Sequence, residues 1–337
     1  MRTPNGRNPM AGRRKVLITV NHFQWLDARF VRRLEDAGLE AVIVTQDGLH
    51  SDEAMIAAIP GTFATIAGGE PYSEAVLAAA DALRVIARFG VGYDRVDLAA
   101  ASARGIVVIG TFGTNHDAVA DRVFGFMAAL ANNLFDETIA MKAGRWEQHL
   151  HTTLWRASTG IIGLGRIGQA VARRCAGFEM RVLACETKPD AAFVKEFGIE
   201  LVSLETLLSE SDFVSVNAPL TPTTEGLLSR ERLALMKPSA YLINTSRGKL
   251  IDEDALAEAL SERRIAGAGL EVFHREPPHK DSPLLALDNV LLGPHSATQT
   301  RESAEMTADV CIDCILAVAR GESPKAEYVL NPEAVGA

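Results

Sequence analysis

The feature that most constrains the fold is a glycine-rich segment that joins an apolar strand pattern to a helical one. Residues 159–162 form the strand pattern, three glycines follow with the spacing G-x-G-x-x-G, and residues 169–175 continue as a helix. In this motif the glycines allow a tight turn, a close approach of backbone to a pyrophosphate, and close packing of helix on sheet. The helix N-terminus then offers unpaired N–H groups to phosphates. The segment predicts a dinucleotide site, with candidate contacts at Gly163, Gly165, Arg166, Ile167 and Gly168.

A second strand pattern identifies the nucleotide. Residues 180–185 are apolar and end in Glu186, about 20 positions beyond the last glycine, where this type of site expects an acid. A carboxylate there accepts hydrogen bonds from the ribose hydroxyls of the adenosine, and its charge repels a 2′-phosphate. Lys188 is the one nearby cation. We therefore predict NAD rather than NADP as the cofactor.

Apolar runs and helical patterns alternate on both sides of this motif. Strands are predicted over residues 15–20, 41–45, 63–66, 84–87 and 106–109, with a helix over 24–37 that Gly38 closes. Thr114-x-x-Asp117 is a capping-box-like start for one long amphipathic helix over 117–134, where we place a domain crossing. A last helix is predicted over 302–320. This alternation is typical of parallel sheets with helices on both faces.

Three polar residues follow apolar strand patterns, where an open parallel sheet builds its sites. They are Arg247, Glu276 and His295. Reduction of a ketone by hydride builds negative charge on its oxygen, for which imidazolium is a natural proton donor. A neighbouring carboxylate favours imidazolium, and arginine can hold a substrate carboxylate in bidentate fashion. Composition alone does not select these three, because His274 and His279 flank Glu276 and such residues are also common in structural roles.

The order of the motifs resembles the D-isomer-specific 2-hydroxyacid dehydrogenase family from about residue 85 to 331. The matching segments are Gly90-Val-Gly-Tyr-Asp94-Arg-Val-Asp97, Ala118-Val-Ala-Asp121, Gly163-Leu-Gly-Arg-Ile-Gly168, Asn244-Thr-Ser-Arg247-Gly, Glu276-Pro and Pro294-His295-Ser. The resemblance implies an α/β fold of two Rossmann-like, doubly wound parallel-sheet domains. The substrate domain is split around an inserted NAD-binding domain. We expect a disordered arm over 1–14, the substrate domain over 15–114 and 300–330, and the NAD-binding domain over 115–299.

The same resemblance implies roles for individual residues. Arg247 binds the substrate carboxylate and polarises the carbonyl, His295 is the acid/base, and Glu276 is its partner. The backbone of Val91 and Gly92 holds the carboxylate from the other domain, and Arg88 is a candidate second cation for the substrate. The remaining cofactor candidates are Asn244 and Thr245 on the nicotinamide side, Thr221 on the adenine side, and Asn217, Ala218, Pro219, Ser246, Glu271 and Ser296.

The chain departs from the family pattern at four positions. Glu271 stands where Asp is usual, near the nicotinamide carboxamide, and Glu186 also replaces the commoner Asp. Asn217 stands where His is frequent, and Phe112 replaces a usual proline. None of these changes removes Arg247, Glu276 or His295. The longer side chain of Glu271 is expected to alter its contact with the cofactor.

Charge and cysteine content exclude several other functions. The net charge is −9, whereas nucleic acids and anionic membranes are bound by basic surfaces. Cys311 and Cys314 form a C-x-x-C inside a helical pattern without a second ligand pair, so we expect buried apolar residues and no metal site. Unpaired cysteines predict a cytoplasmic protein. The 117–134 helix is expected to build a homodimer, as in the family.

The sequence as a whole predicts an oxidoreductase that moves hydride between NAD(H) and a small D-2-hydroxy acid or 2-keto acid. Glyoxylate, hydroxypyruvate and phosphohydroxypyruvate remain open as substrates. One alternative is an NAD(H)-sensing corepressor, which shares the fold but carries a long C-terminal tail; the sequence stops soon after Asn331, which favours an enzyme. Formate-type and phosphite-type dehydrogenases are a second alternative.

Overall fold

The protein consists of two compact units. A computed structural model describes residues 12–45 and 48–335. The chain passes from unit 1 to unit 2 between Asn115 and His116, and returns to unit 1 between Thr298 and Gln299. Most of the arm predicted over 1–14 lies outside the described residues, while Arg14 already belongs to the first strand. That unit 1 binds the substrate stays a prediction.

The described residues of the first segment of unit 1 form strands and α-helices in alternation. In chain order they are β1 Arg14–Ile18, α1 Arg29–Asp36, β2 Leu39–Ile43, α2 Asp52–Ala58, β3 Thr62–Ala67, α3 Glu74–Ala79, β4 Val85–Arg88, α4 Leu98–Ala103 and β5 Val107–Gly110. All pairings are parallel, and the strand order is β2-β1-β3-β4-β5. This is the flavodoxin-like doubly wound order, whose direction reverses between β1 and β3.

Unit 2 is one continuous segment built around a larger sheet. Its elements are α5 His116–Ala131, α6 Leu134–Lys142, β6 Ser158–Ile162, α7 Arg166–Gly177, β7 Arg181–Cys185, α8 Ala191–Glu196, β8 Glu200–Leu201, α9 Leu204–Glu210, β9 Phe213–Val216, α10 Arg230–Leu233, β10 Tyr241–Asn244, α11 Glu253–Ser261, β11 Gly267–Leu270 and β12 Val290–Leu292. The strand order is β12-β11-β10-β9-β6-β7-β8, again all parallel. Counted from β6, this is the dinucleotide-binding order with one added strand, and it reverses between β6 and β9.

Local sequence explains where the helices begin. Side-chain oxygens of Ser51, Ser73, Asp97, Ser203 and Asp252 each accept a hydrogen bond from a backbone N–H of the first helical turn. Such caps stabilise a helix by about 1 kcal/mol each. All residues of β3 and of β6 are buried, as expected for central strands covered by helices on both faces.

The last helix, α12 Arg301–Ala319, completes the core of unit 1 after the chain has left unit 2. Its inner face includes Ala308, Ile312 and Ile315, which pack with β1, β3, β4 and α1 residues in one apolar cluster. Cys311 and Cys314 belong to the same cluster, which confirms that they are core residues. Among residues 12–45 and 48–335, no helix is both long and apolar enough to cross a membrane.

Two predicted helices differ from the structure. In place of one helix over 24–37, a short 3₁₀ turn at Asn21–Trp25 precedes α1, because the Asp27 carboxylate accepts from the Arg29 N–H (2.7 Å) and starts a new helix there. The predicted 117–134 helix is divided, because Asn133 adopts a left-handed conformation (φ 48°) between α5 and α6. At the predicted capping box, α5 begins at His116, and the Thr114 hydroxyl donates to the Thr111 carbonyl (2.8 Å) and accepts from the Thr307 hydroxyl (2.8 Å).

Candidate active site

The glycine-rich loop lies beyond the carboxyl end of β6, beside the point where the strand order of unit 2 reverses. Gly163 has φ 88°, and a Cβ there would lie 2.9 Å from the Ala218 nitrogen, so no other residue fits the turn. At Gly168 a Cβ would overlap the Gly163 carbonyl, which explains how closely α7 packs on the loop. The surroundings of Gly165 are open instead. This open surface at the N-terminus of α7 fits the pyrophosphate of NAD.

Glu186 is held against this loop at the end of β7. Its carboxylate accepts hydrogen bonds from the backbone N–H groups of Leu164 (2.8 Å) and Lys188 (2.9 Å) and from the Thr187 hydroxyl (3.1 Å). Burial raises the pKa of Glu186, but these hydrogen bonds together bring it below its ordinary value. The group is therefore an anion next to the glycine loop, which is the charge that the preference for NAD over NADP requires.

A histidine–carboxylate pair forms the centre of the site. His295 follows β12, and its Nδ1 lies 2.7 Å from Oε2 of Glu276, while the Phe273 N–H donates to Oε1 (3.2 Å). Burial raises the pKa of Glu276, but the bond to His295, the Phe273 N–H and the charge of Arg247 bring it below its ordinary value. Because the carboxylate is ionised, Nδ1 carries the hydrogen of this bond. Nε2 is left for proton exchange with a substrate.

Arg247 lies in a second loop, which packs against the loop that carries Glu276. It follows β10 by three residues, and a Cβ on the next residue, Gly248, would overlap the backbone of Phe273 and His274. The turn is fixed internally, since Asn244 Nδ2 donates to the Arg247 carbonyl (2.9 Å) and the Ser246 N–H donates to Asn244 Oδ1 (3.0 Å). The Arg247 Nη1 donates to the Ser246 carbonyl (2.8 Å). The structure thus brings together the three residues singled out in the sequence.

The alternative histidines are engaged elsewhere. Nε2 of His274 lies 2.7 Å from the Ile251 carbonyl, and its backbone N–H donates to Glu253 (2.8 Å). His279 is an exposed residue that lies 3.4 Å from Asp281. Neither side chain contacts Glu276 in the bonds described for this loop, whereas His295 does. Acid–base catalysis by His295 and Glu276 stays a prediction.

The other cofactor candidates surround the same edge of the unit 2 sheet. Asn217 continues β9 by donating its N–H to the Ile162 carbonyl (2.7 Å), and the Ser246 hydroxyl donates to the Val216 carbonyl (2.8 Å). Thr245 Oγ1 is buried and has no hydrogen-bond partner among the described residues. Ala218, Pro219 and Thr221 follow Asn217, with the Thr221 N–H bound to Thr224 Oγ1 (2.8 Å). A buried hydroxyl that lacks a partner just beyond the carboxyl end of β10 is what a bound nicotinamide nucleotide would satisfy.

In unit 1 the substrate candidates form one loop after β4. Arg88 ends the strand, and its Nε donates to the Gly92 carbonyl (3.1 Å), so the guanidinium stabilises the Gly90–Val91–Gly92 turn. The Arg88 carbonyl accepts from the Thr111 hydroxyl (3.3 Å) and the Cys311 thiol (3.6 Å). Substrate binding by Arg88, Val91 and Gly92 stays a prediction.

Sequence reasoning missed two residues near His295. Arg122 on α5 donates to the Ser296 hydroxyl (3.2 Å) and lies 3.6 Å from Glu271 Oε2. Gly293 lies against the Glu271 carboxyl group. The only signals were positional: Arg122 directly follows the Ala118–Asp121 motif, and Gly293 directly precedes the Pro294–Ser296 motif.

Comparison with known proteins agrees with the geometry. The family model for the NAD binding domain of D-isomer specific 2-hydroxyacid dehydrogenases matches residues 124–297. Glyoxylate reductase of Korarchaeum cryptofilum is 42% identical over 79% of this chain and 81% of its own. D-3-phosphoglycerate dehydrogenase of Methanocaldococcus jannaschii is 37% identical over 89% of this chain and 57% of its own.

A solved structure extends the likeness to the whole fold. D-lactate dehydrogenase from Aquifex aeolicus, complexed with NAD and lactic acid, matches with a TM-score of 0.84 and 28% identity, covering 94% of this chain and 98% of that one. The predicted fold class, NAD as the cofactor and the resemblance itself are confirmed. The chain belongs to the D-isomer specific 2-hydroxyacid dehydrogenase family, which couples NAD to the interconversion of hydroxy and keto acids.

Proposed function

We propose that this enzyme reduces a small 2-keto acid of the glyoxylate, hydroxypyruvate or phosphohydroxypyruvate type to the D-2-hydroxy acid, and catalyses the reverse reaction. The observation that carries the proposal is the 2.7 Å contact of His295 with Glu276, with Arg247 next to it. The names of the glyoxylate reductase and D-3-phosphoglycerate dehydrogenase relatives support these substrate classes. In the D-lactate dehydrogenase relative, lactic acid is itself a 2-hydroxy acid.

The residues of unit 2 divide the chemistry among them. When bound, the nicotinamide supplies hydride to the carbonyl carbon in reduction and accepts it in oxidation. His295 gives its Nε2 proton to the carbonyl oxygen, so that the carbonyl group gains one hydride and one proton and becomes an alcohol. Glu276 stabilises the imidazolium and fixes the ring through Nδ1. Arg247 binds the substrate carboxylate and stabilises charge on the carbonyl oxygen.

Glu186 and the glycine loop hold the adenosine half of the cofactor. The carboxylate accepts from ribose hydroxyls, and the backbone of Gly165, Arg166 and Ile167 lies at the N-terminus of α7 to meet the pyrophosphate. Asn244, Thr245 and Ser296 are proposed for the nicotinamide side, and Thr221 for the adenine side. In the unit 1 loop, the Val91 and Gly92 backbone N–H groups are proposed to hold the substrate carboxylate.

A panel of 2-keto acids tests the proposal. NADH oxidation by the purified protein is followed with glyoxylate, hydroxypyruvate and phosphohydroxypyruvate, and the acids are ranked by kcat/KM. At least one acid should be reduced many-fold faster than the rate of NADH loss without it.

Arg247→Ala should raise KM and lower kcat, because the cation binds both ground state and developing oxyanion. Arg275→Ala is the matched control, because this exposed arginine directly precedes Glu276 in the sequence. Binding of NADH without turnover of any acid would favour the corepressor-like alternative.

The enzyme is further proposed to form a homodimer through α6 and the extended segment that follows it. The dimer expected for the 117–134 helix stays a prediction; in its α5 part the inner residues pack in the core of unit 2, while Phe124 and Ala128 are half-buried. Large apolar side chains are instead exposed after it, namely Leu134, Phe135, Ile139, Met141, Trp146, Leu150 and Trp155. Exposed apolar clusters are typical of subunit interfaces, and two-fold dimers are the commonest assembly.

Solution mass tests this assembly. The wild-type enzyme should have twice the mass of one chain, and Phe135→Asp together with Ile139→Asp should give monomers, because a charge is costly inside an apolar interface. Trp25→Asp, at an exposed residue of unit 1, is the control. A wild-type monomer at micromolar concentration would contradict the proposal.

All four cysteines are free thiols, which supports a cytoplasmic setting.

A further inference from the structure

The catalytic histidine has an unusual backbone. His295 has φ 52°, in the left-handed region that residues with a side chain seldom adopt. Such a conformation persists only where surrounding contacts fix it, and these contacts then determine where the side chain points. The contacts that hold the His295–Ser296 turn are therefore part of the acid–base machinery.

Glu271 contacts this turn from two of its own groups. It directly follows β11, and its backbone carbonyl accepts from the His295 N–H (2.9 Å). Its side-chain Oε1 accepts from the backbone N–H and the hydroxyl of Ser296, the latter at 3.3 Å. One residue thus satisfies two successive backbone donors, on either side of the histidine side chain.

The Glu271 side chain is fully buried within unit 2, with an exposure of 0%. Its Oε1 accepts both bonds from Ser296, whereas its Oε2 has no hydrogen-bond partner among the described residues. Arg122 balances the buried charge from 3.6 Å and also donates to the Ser296 hydroxyl (3.2 Å). Glu271, Ser296 and Arg122 thus form one polar network within unit 2.

Gly293 provides the space for the glutamate. A Cβ at this position would lie 2.7 Å from the Glu271 carboxyl carbon and closer still to one of its oxygens. The backbone of Gly293 is also anchored, because its N–H donates to the Leu270 carbonyl (2.8 Å). The glycine therefore cannot simply move away, and a methyl group there would displace the carboxylate from Ser296.

We propose that Glu271 is a positioning residue, whose buried carboxylate fixes the His295–Ser296 turn so that Nδ1 of His295 meets Glu276, and that Gly293 is required by the length of this side chain. This role differs from contact with the nicotinamide carboxamide, which the family resemblance implied for this position. The inference rests on the proposed role of His295 in proton transfer.

A double-mutant cycle tests the link between Gly293 and Glu271. Gly293→Ala should lower kcat by about 10- to 100-fold, since misplacement of a catalytic group by about 1 Å can cost on the order of 10²-fold. Glu271→Asp should also lower kcat, because the shorter side chain retreats from Ser296. In the Glu271→Asp background, Gly293→Ala should have little further effect, because the shorter acid leaves room for the methyl group. If kcat of the double variant falls by the product of the two single-variant losses, the two residues act independently and the proposal is wrong.

Imidazole NMR supplies a readout without substrate or cofactor. In protein labelled with ¹⁵N-histidine, the His295 signals are assigned among the eight histidines by comparison with His295→Gln. The wild-type ring should show one tautomer with hydrogen on Nδ1, and Gly293→Ala should shift or broaden these signals. Glu262→Gln, which changes an exposed acid of unit 2, is the control and should leave them unchanged.

The NADH dissociation constant separates the two roles of Glu271. Positioning predicts a dissociation constant near the wild-type value in Gly293→Ala and Glu271→Asp, with altered His295 signals. Weakened NADH binding with unchanged His295 signals would overturn the proposal in favour of a nicotinamide contact. If wild-type enzyme reduces no keto acid, the proposed function fails, but the NMR arm still decides whether Glu271 fixes the turn. If Glu271→Asp does not fold, the NMR measurement is made on Gly293→Ala alone.

Discussion

The two units place an acid beyond the carboxyl edge of a parallel sheet, yet the two acids serve different purposes. Glu70 of unit 1 follows β3 and is completely buried; it accepts from the Thr19 hydroxyl (2.6 Å), the Tyr72 hydroxyl (2.9 Å) and the Gly68 N–H (3.2 Å). Glu276 of unit 2 follows β11 and is 36% exposed, with a histidine as its partner. Similar sheet topology therefore does not determine what a residue at a strand end does.

The difference lies in the partners and in access. Burial and the charge of Glu70 raise the pKa of Tyr72 well above its ordinary value, so the hydroxyl stays a donor at any physiological pH. The Tyr72 hydroxyl is thus fixed as a donor. In unit 2 the partner is an imidazole, a group that can both donate and accept a proton, and its side chain is 45% exposed. An acid at a strand end suits a catalytic site where its partner can exchange protons and is accessible.

The largest expected effect is on His295. His295→Ala should lower kcat by about 10²- to 10⁴-fold in both directions, which is the usual contribution of a general acid or base. Reduction needs imidazolium and should fall as pH rises, whereas oxidation needs neutral imidazole and should rise. His274→Ala, three residues after Glu271 but bound to Ile251, is the control. If His295→Ala reduced the keto acid at a near-normal rate with an unchanged pH profile, His295 would not be the acid/base. The contrast between Glu276 and Glu70 would then be lost.

The second effect concerns Glu70 and should appear in stability. Glu70→Ala removes the carboxylate acceptor of the buried Tyr72 hydroxyl and one of the two acceptors of the Thr19 hydroxyl, so the free energy of unfolding should fall by about 1–3 kcal/mol. Urea unfolding measures this change, with exposed Glu74→Ala of the same unit as the control. The effect on kcat of the folded enzyme should be smaller than that of His295→Ala. Unchanged stability with abolished turnover would show that Glu70 is also a site residue.

A third acid, Glu186, extends the comparison to binding. Glu186→Ala removes both the acceptor for the ribose hydroxyls and the charge that repels a 2′-phosphate. The ratio of kcat/KM with NADH to that with NADPH should fall by about tenfold, which corresponds to about 1.4 kcal/mol. Glu179→Ala, at an exposed acid of unit 2, should leave the ratio unchanged. A wild-type preference for NADPH would contradict the role of Glu186.

The smallest effect is the pH dependence of stability from Glu276. Its pKa in the folded protein is below the ordinary value of 4.5, so its stabilisation is present above pH 4.5 and is lost as pH falls through the lower folded value. The Tm difference between wild type and Glu276→Gln should therefore shrink in that acidic range. Because the group is partly exposed, the difference should be small even at neutral pH. A difference that grows on acidification would contradict this sign.

Patterns local in sequence predicted most of the fold. The seven strands predicted with bounds, β1–β7, lie within two residues of those in the structure, because continuous apolar runs and glycine turns depend on near neighbours. No bounds were predicted for β8 or β9. The two helix errors came from single side chains that compete with the helix: the Asp27 carboxylate bound to the Arg29 N–H, and Asn133 in a left-handed conformation. An Asp or Asn inside a helical pattern was the available signal in both cases.

The candidate site was predictable where a motif carries the residue and not where packing does. Arg247, Glu276 and His295 each follow an apolar strand, and parallel strands bring such ends together. The Glu271 network could not be predicted in this way, because Arg122 comes from a helix far away in sequence and Gly293 acts through the side chain it lacks. These residues are required by the space that the Glu271 side chain occupies and by its buried charge, and neither requirement produces a regular pattern in the sequence.

The divided construction of unit 1 has a consequence for synthesis on the ribosome. Its five strands are translated first, but its core also needs the inner face of α12, including Ile312 and Ile315, and Arg33 of α1 has its ionic partners Asp309 and Asp313 there. At about 5–20 residues per second, α12 follows the unit 1 strands by roughly 10–40 s. Unit 2 is contiguous and can fold as soon as it emerges. The half that begins the chain is therefore the last to be completed, and during this interval its apolar sheet face is the part of the nascent protein most in need of a chaperone.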